Sequence, residues 1–414
     1  MKPVNILRVE TEDRRFPLQG GAGTDAKHQI TEYAFAVTRL VTDGGLTGTG
    51  IVLTLGKGNE VVCAVIAALG ELLPKVPVDE LMSDFGNVSC ALAENPSLRW
   101  LGPHKGVVHL ALASLTNACF DLWAKTRGLP LWKLLLDLSP PEVVSLLDLS
   151  YLEEDLTAAS ALEILQGEQK TRPAREAALS RGYPGYDTSV GWFQYDDAQL
   201  RENAKHALGS GFRALKLKVG SKDRSRDVRR ATLLRELAGP GCQLMIDANQ
   251  QWSVPEAASI CEEMRGLDLF WIEEPTHPDD VQGHVQLANR LAPMRLALGE
   301  HVPNRVVFRN FMAYGAMHFV QADCTRLAGV SEFLTVSLLA RNYGLPVVPH
   351  VGDMGQIHQH LVLFNHVALG HEALFLEYIP HLRDYFVHPA RVEDGVYRTP
   401  QEPGLSCDLI PVSN

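Results

Sequence analysis

The chain has no CxxC pair, no surplus of positive charge and no apolar run approaching membrane-spanning length. Each absence removes a class of function. Its seven cysteines are scattered, in an odd number, so neither a disulfide framework nor a thiolate zinc site is encoded. A formal charge of −11 leaves no surface made for nucleic acid or an anionic membrane. Nothing in the chain reads as a bilayer span. Met1-Lys2-Pro3 leads straight into the alternating stretch Val4-Asn5-Ile6-Leu7-Arg8-Val9, unlike the apolar core of a signal peptide. These readings predict a cytoplasmic protein with reduced thiols, no nucleic-acid partner and no membrane partner.

What is present is an ordinary globular composition, 46% apolar and 21% charged. At 414 residues the chain exceeds a usual single core, so one large barrel plus a smaller domain is expected. An acidic protein that takes an anionic substrate must recruit local positive charge. Lysines and a divalent cation would supply it.

Residues 1–140 read as an α+β domain, with the C-terminal segment 383–414 returning to pack on it. A strand at 33–41 and the turn Asp43-Gly44-Gly45 lead into a second strand from Gly48. Three helical stretches follow, at 59–75, up to about 94, and 105–126, the last apolar nearly all round and so predicted buried. The glycine-rich segment 16–25, which contains Asp25, reads as a surface loop or as a lid that closes over a substrate. Pro140-Pro141 marks the boundary to the domain at 141–382. Residues 143–149 look like a first barrel strand, and 153–182 like a charged helical insertion; their order relative to that strand stays open.

From Gly211 onward strand and helix alternate regularly. Leu215-Lys216-Leu217-Lys218-Val219, Met245-Ile246-Asp247-Ala248-Asn249, Trp271-Ile272-Glu273-Glu274-Pro275 and Leu298-Gly299-Glu300-His301 are apolar strand-type runs ending on charged residues. Further strands end at Asp323, at His350 (strand 345–349) and at Glu377. This alternation favours a parallel barrel over a doubly wound sheet. In such barrels the C-terminal strand ends face the active site.

A single acid just past a strand is more often only a helix cap. Capping does not require successive strands to end on acids, lysines and a histidine. Asp247, Glu273 and Glu300 recur about one strand–helix unit apart, so they converge on an oxygen-rich site that suits Mg²⁺. Lys216 and Lys218, two apart on one strand, share a face. Paired ammonium groups should depress each other's pKa and make a neutral amine accessible. Asp323 precedes His350 by one unit and suits a carboxylate that orients an imidazole.

This constellation resembles the enolase superfamily and its mandelate racemase branch. The matching motifs are Lys216-x-Lys218, Asp247-x-Asn249, Glu273-Glu274-Pro275, Gly299-Glu300 and the Asp323/His350 pair, and the likeness extends over essentially the whole chain. Within the branch the sequence is most similar to L-fuconate dehydratases and related acid-sugar dehydratases. Arg15-Phe16-Pro17, Arg99-Trp100-Leu101-Gly102-Pro103, Gly182-Tyr183-Pro184 and Asn304-Arg305 carry that likeness.

The resemblance implies an α/β fold, a (β/α)7β modified TIM barrel with an α+β N-terminal capping domain. It implies Mg²⁺ on Asp247, Glu273 and Glu300, Lys218 as the base at C2, a cationic Lys216, and His350, oriented by Asp323, as the acid. Asn249, Glu377, Lys216, Asp25 and Trp100 would bind a small sugar acid, and the protein would be a homo-oligomer. The sequence departs from the dehydratase pattern in Val351-Gly352-Asp353-Met354-Gly355-Gln356, in Phe16-Pro17-Leu18-Gln19 and in His301-Val302-Pro303. These departures lie near the substrate, so sugar specificity is expected to differ while the chemistry survives. A racemase or epimerase of a 2-hydroxy acid could use the same Lys/His pair. A non-catalytic scaffold should have lost a ligand or base, and none is missing.

Overall fold

The computed structural model describes residues 3–351 and 355–411. Three antiparallel strands open the chain: β1 (Ile6–Pro17), β2 (Glu32–Thr42) and β3 (Thr47–Thr54). Strand β3 lies directly on the long helix Gly106–Arg127, and Gly50 makes this possible. A Cβ there would stand 1.9 Å from the Ser114 carbonyl oxygen. That helix is long and apolar enough to cross a bilayer, contrary to the expectation that no run reaches such length. Yet 89% of its apolar window is buried inside the fold, which makes it a core helix.

Residues 143–149 do not form the expected strand. Helix Pro140–Ser145 occupies the region, started by prolines in its first turn and by a capping box of Ser139 with Glu142. The β-branched pair Val143-Val144 favoured a strand, but the cap decides. The insertion that follows contains the helices Ala158–Gly167 and Arg172–Ala178, both packed on helix Ile357–Leu369. The first barrel strand therefore comes after the insertion, as β4 (Tyr183–Gly191).

The barrel continues with β5 (Ala214–Lys218), β6 (Gln243–Asp247), β7 (Leu269–Glu273), β8 (Leu296–Leu298), β9 (Phe319–Val320) and β10 (Leu376–Tyr378). Neighbours pair in parallel from β4 to β9, and β10 returns to pair with β4. The strand expected at 345–349 is reduced to one bridge, Val347 with Val320. The result is a modified TIM barrel with an α+β cap. The capping box read at Ser253 and Glu256 starts helix Val254–Glu263 as expected.

The C-terminal segment crosses back to the cap. Leu405 N donates to Asp121 Oδ1 at 2.7 Å, Thr49 Oγ1 to Asp408 Oδ1 at 2.5 Å, and Arg14 Nη2 to the Ile410 carbonyl at 3.0 Å. All seven cysteines are unpaired.

Candidate active site

The barrel interior is built in layers, each following from the period-two alternation of strand side chains. Its floor is an apolar cluster with one residue from each strand position: Tyr186, Ala214, Met245, Trp271, Ala297, Phe319, Val348 and Phe375. Two residues further along the same face stand Thr188, Lys216, Asp247, Glu273, Gly299, Gln321, His350 and Glu377. A packed hydrophobic floor thus carries a polar layer directly above it. At Gly299 the chain has φ +154°, and a Cβ would lie 2.5 Å from the Gln321 backbone, so glycine is needed for the close approach.

The charges in this layer are paired and almost wholly buried. Lys216 Nζ lies 2.6 Å from Glu273 Oε1, 2.7 Å from Glu377 Oε1 and 3.7 Å from Asp247 Oδ2. Lys218 Nζ, one layer higher, lies 2.5 Å from Asp247 Oδ2. Burial works against both ammonium charges, but Glu273 and Glu377 around Lys216, and Asp247 beside Lys218, outweigh it and raise both pKa values. The expectation that the two lysines push each other toward neutrality is therefore not met in this arrangement. Carboxylates between and around them dominate over their mutual repulsion.

Asp247, Glu273 and Glu300 each offer a carboxylate oxygen, and these atoms lie within 4.8 Å of one another. All three are buried. With Glu377 they set four carboxylates against the two lysines, an excess of negative charge in a low-dielectric interior. Burial, joined by Asp247 and Glu377 and opposed by Lys216, raises the Glu273 pKa. Such a centre is short of cationic charge, and an all-oxygen donor set fits a hard divalent ion.

Across the cavity from Lys218 stands His350. Its Nδ1 is 2.8 Å from Asp323 Oδ2 and its Nε2 3.1 Å from Glu300 Oε2. Burial disfavours the imidazolium, but Glu300 and Asp323 overcome it and raise the pKa to about 9. Asp323 is itself fixed, accepting from Thr325 N and Thr325 Oγ1 at 2.7 Å each. His358 packs on its other side. Its Nε2 lies 3.1 Å from Asp323 Oδ1 and 2.9 Å from Cys324 N, and its Nδ1 donates to the Val351 carbonyl at 2.6 Å.

A cavity of about 180 Å³ opens above this layer, lined among others by Lys218, Asn249, Glu300, His350, Glu377 and Asp25. The loop between β1 and β2 closes it. Phe193 N donates to the Thr24 carbonyl at 3.0 Å, and Gln194 Nε2 to Gln29 Oε1 at 2.6 Å, docking the loop on the end of β4. Asp25 Oδ1 accepts from Lys27 N and His28 N, both at 2.7 Å. Its burial would raise the carboxyl pKa, but His28 and then Lys218 hold it below the usual range.

Trp100 is not part of this site. It follows the short helix Pro96–Arg99, is 90% exposed, and does not line the cavity. Part of the altered segment after His350 lies outside the described residues, at 352–354. Several cavity residues escaped the sequence reading: Tyr33, Trp192 and Arg326. Trp192 follows β4, so its position was hidden while that strand was sought at 143–149. The buried Arg230 was also missed; it donates to the carbonyls of Lys218 at 3.1 Å and Trp192 at 2.9 Å. Thr188 and Gln321 could have been found by counting two residues on from the apolar floor.

A capped parallel barrel with these acids, lysines and a carboxylate-held histidine at its strand ends is of the enolase type. A family described as enolase C-terminal domain-like matches residues 199–411. Mitochondrial enolase superfamily member 1 of Homo sapiens is 40% identical over 414 residues, covering 98% of this chain and 93% of that protein. Its crystal structure has a TM-score of 0.95, covering 98% of this chain and 95% of that one. L-galactonate dehydratase of Hypocrea jecorina is 38% identical over 422 residues, covering 100% of this chain and 94% of that protein. The structure of L-talarate/galactarate dehydratase from Salmonella typhimurium LT2, liganded with Mg and L-lyxarohydroxamate, has a TM-score of 0.79 at 25% identity, covering 99% and 92% of the two chains. The chain belongs to the enolase superfamily.

Proposed function

We propose that this protein is a hydro-lyase that dehydrates a sugar acid, L-fuconate or a close stereochemical relative, to a 2-keto-3-deoxy acid with the help of Mg²⁺. The observation that carries this reading is the placement of Lys218 and His350 on one cavity with three cation-ready carboxylates beside them. Related proteins named as dehydratases of L-galactonate and of talarate or galactarate support the reaction class. L-fuconate is 6-deoxy-L-galactonate, its C6 a methyl where L-galactonate has a hydroxymethyl. The apolar side chains of Ile30, Leu53, Leu55, Ile379 and Leu382 in the cavity wall suit such an end.

Asp247, Glu273 and Glu300 would hold the Mg²⁺, which supplies Lewis-acid stabilisation of the charge that builds on the substrate carboxylate. Lys216, kept cationic between Glu273 and Glu377, adds a fixed positive charge at that carboxylate. Lys218 in its neutral form takes the proton from C2; a cation on Asp247 would draw that carboxylate's charge from the amine and so lower the lysine pKa that Asp247 raises in the ion-free arrangement. His350, held at Nδ1 by Asp323, gives its proton to the 3-hydroxyl, which leaves as water. The enol left behind tautomerises to the 2-keto acid. Asn249 and Glu377 contact the substrate from the strand ends, and Asp25 from the closed loop, which keeps bulk water out.

Racemisation or epimerisation of a 2-hydroxy acid is the second reading, since Lys218 and His350 stand on well-separated strands and can serve opposite faces of C2. A screen of the Mg²⁺-loaded protein against aldonic and aldaric acids, L-fuconate and L-galactonate included, separates the two. Formation of 2-keto acid supports dehydration. Solvent deuterium entering C2 with no keto acid supports racemisation, and neither result from any acid refutes both.

A homo-oligomer belongs to this reading. Trp100 and Leu101, 90% and 70% exposed, form an apolar tip that a second copy would cover, and light scattering tests it. We place the protein in the cytoplasm, where its unpaired thiols stay reduced. Fractionation tests that against the mitochondrial placement in the relatives' name.

A further inference from the structure

His301 stands one residue past Glu300 and lines the cavity, yet the mechanism above does not use it. Its ring is held by an unusually built support. Nδ1 lies 2.7 Å from Gln250 Nε2, 2.9 Å from Glu274 Oε1 and 3.3 Å from Glu300 Oε1. Glu274 is anchored in turn, its Oε2 accepting from Gln250 Nε2 at 2.7 Å and its carbonyl from Gln250 N at 2.7 Å.

The backbone of that support is strained. Asn249, Gln250 and Glu274 have φ of +44°, +61° and +42°, left-handed values that Asn tolerates but that strain Gln and Glu. A fold retains such strain where the geometry it produces is over-determined by its surroundings. Here two of these residues, Gln250 and Glu274, contact one imidazole. The arrangement parallels the one across the cavity, where Asp323 fixes Nδ1 of His350 at 2.8 Å. The difference lies in the remaining nitrogen. Nε2 of His350 faces Glu300 at 3.1 Å, whereas Nε2 of His301 has no hydrogen-bond partner among the described residues.

We propose that His301 is a specificity-determining residue whose Nε2 hydrogen-bonds one hydroxyl of the sugar-acid chain, its ring aimed by the Gln250–Glu274 support. The proposal rests on the sugar-acid reading and deepens it. Two anchored imidazoles then flank the substrate, one for chemistry and one for recognition. A positioned polar group of this kind discriminates strongly, because a substrate lacking the hydroxyl leaves it unpaired.

The test is a cycle of substrate against enzyme. Sugar acids lacking one hydroxyl at a time are compared with the parent acid, in the wild type, His301→Phe and His301→Gln, all at saturating Mg²⁺. In the wild type one deletion should lower kcat/KM by about 10- to 100-fold. In His301→Phe the same deletion should change it less than about twofold, and His301→Gln should restore part of the discrimination. Mg²⁺ affinity by calorimetry is measured beside each variant, since loss of a contact to a metal-holding carboxylate costs about 10- to 100-fold in metal affinity and acts on all substrates alike.

Equal discrimination in the wild type and His301→Phe overturns the proposal. So does a uniform loss over all substrates that follows a fall in Mg²⁺ affinity, which would make His301 a support for Glu300 alone. If the wild type turns over no acid, the dehydratase reading fails separately. The cycle is then read on the dissociation constants of the same acids, where an unchanged ratio overturns the role of His301 on its own.

Discussion

Replacing Asp323 by Asn tests the acid half of the mechanism with almost no change of volume. In the native site Oδ1 accepts twice from Thr325, at 2.7 Å each, and Oδ2 faces His350 Nδ1 at 2.8 Å. An Asn that keeps its oxygen on Thr325 must turn its amide N–H toward His350. Nδ1 then becomes the acceptor, and the proton of the neutral ring moves to Nε2. The variant also removes one of the three carboxylates, with Glu300 and Glu377, that raise the His350 pKa to about 9, and loss of an opposite charge at this range lowers a pKa by roughly 1–3 units. His350 must be protonated to release the 3-hydroxyl, so kcat/KM falls as pH rises through its pKa, and the variant's alkaline limb moves to lower pH. A two-unit move alone removes about nine-tenths of the protonated form near pH 8. With misorientation added, kcat should drop about 10²- to 10⁴-fold. The assay is kcat/KM against pH, with wild type and variant side by side. A large rate loss with the alkaline limb unmoved would refute the assignment of that limb to His350. The same shift has a stability side: a raised histidine pKa stabilises the fold fully below about pH 6.5 and loses that contribution as pH rises through about 9.

Lys218→Ala should lower turnover by at least about 10³-fold and abolish deuterium entry at C2 while leaving the fold intact by circular dichroism; retained exchange would assign the base elsewhere. Asp187 is buried on β4, and burial pushes its pKa up to about 6 despite bonds from Ser189 N and Oγ at 2.7 and 2.6 Å. That raised value means the fold prefers the protonated form, and stability is lost as pH rises from about 3.8 through about 6. Asp187→Asn, which can accept both Ser189 bonds on one oxygen, should therefore stabilise the protein by about 1–3 kcal/mol at neutral pH and by nothing near pH 3, as read in urea unfolding at the two pH values. Gly23 has φ +75° in the closing loop, and a Cβ would meet Leu18 Cδ1 and Tyr33 Oη at 2.8 Å. Gly23→Ala should cost loop closure about 1–2 kcal/mol, raising KM about tenfold and kcat little; a change confined to thermal stability would contradict the lid reading.

How much of this was legible in the sequence depends on how local each determinant is. The acids, the lysines and His350 were legible because each sits at a fixed offset past an apolar strand core, and parallel strands deliver such offsets to one level. Register does the rest: Lys216 pairs with Met245 across β5 and β6, and Asp247 with Glu273 across β6 and β7. The strand at 143–149 was misread because Val143-Val144 carries a strand's composition while Ser139, Pro140, Pro141 and Glu142 carry a helix start. There the capping signal outweighs propensity, since Ser139 and Glu142 satisfy backbone donors at the helix start. Trp100 failed for another reason. It came from likeness alone, and no periodicity tied it to the barrel mouth, so nothing in the chain opposed a place on the outer surface.

The charge state of the lysines shows where local reasoning stops. Two ammonium groups on one strand repel in isolation, and only the third dimension reveals that Glu273, Glu377 and Asp247 surround them at 2.5 to 3.7 Å. The loop over the cavity is the same case in backbone form: its glycines were visible, but its docking on Phe193 and Gln194 was not, because β4 had not been located. His301 joins the two lessons. Its sequence context was visibly odd beside Glu300, yet the oddity acquires a chemical meaning only through Gln250 and Glu274, residues 51 and 27 positions away. A residue whose role is set by such distant supports is where specificity can change without disturbing the acids and bases that the strand ends hold in place.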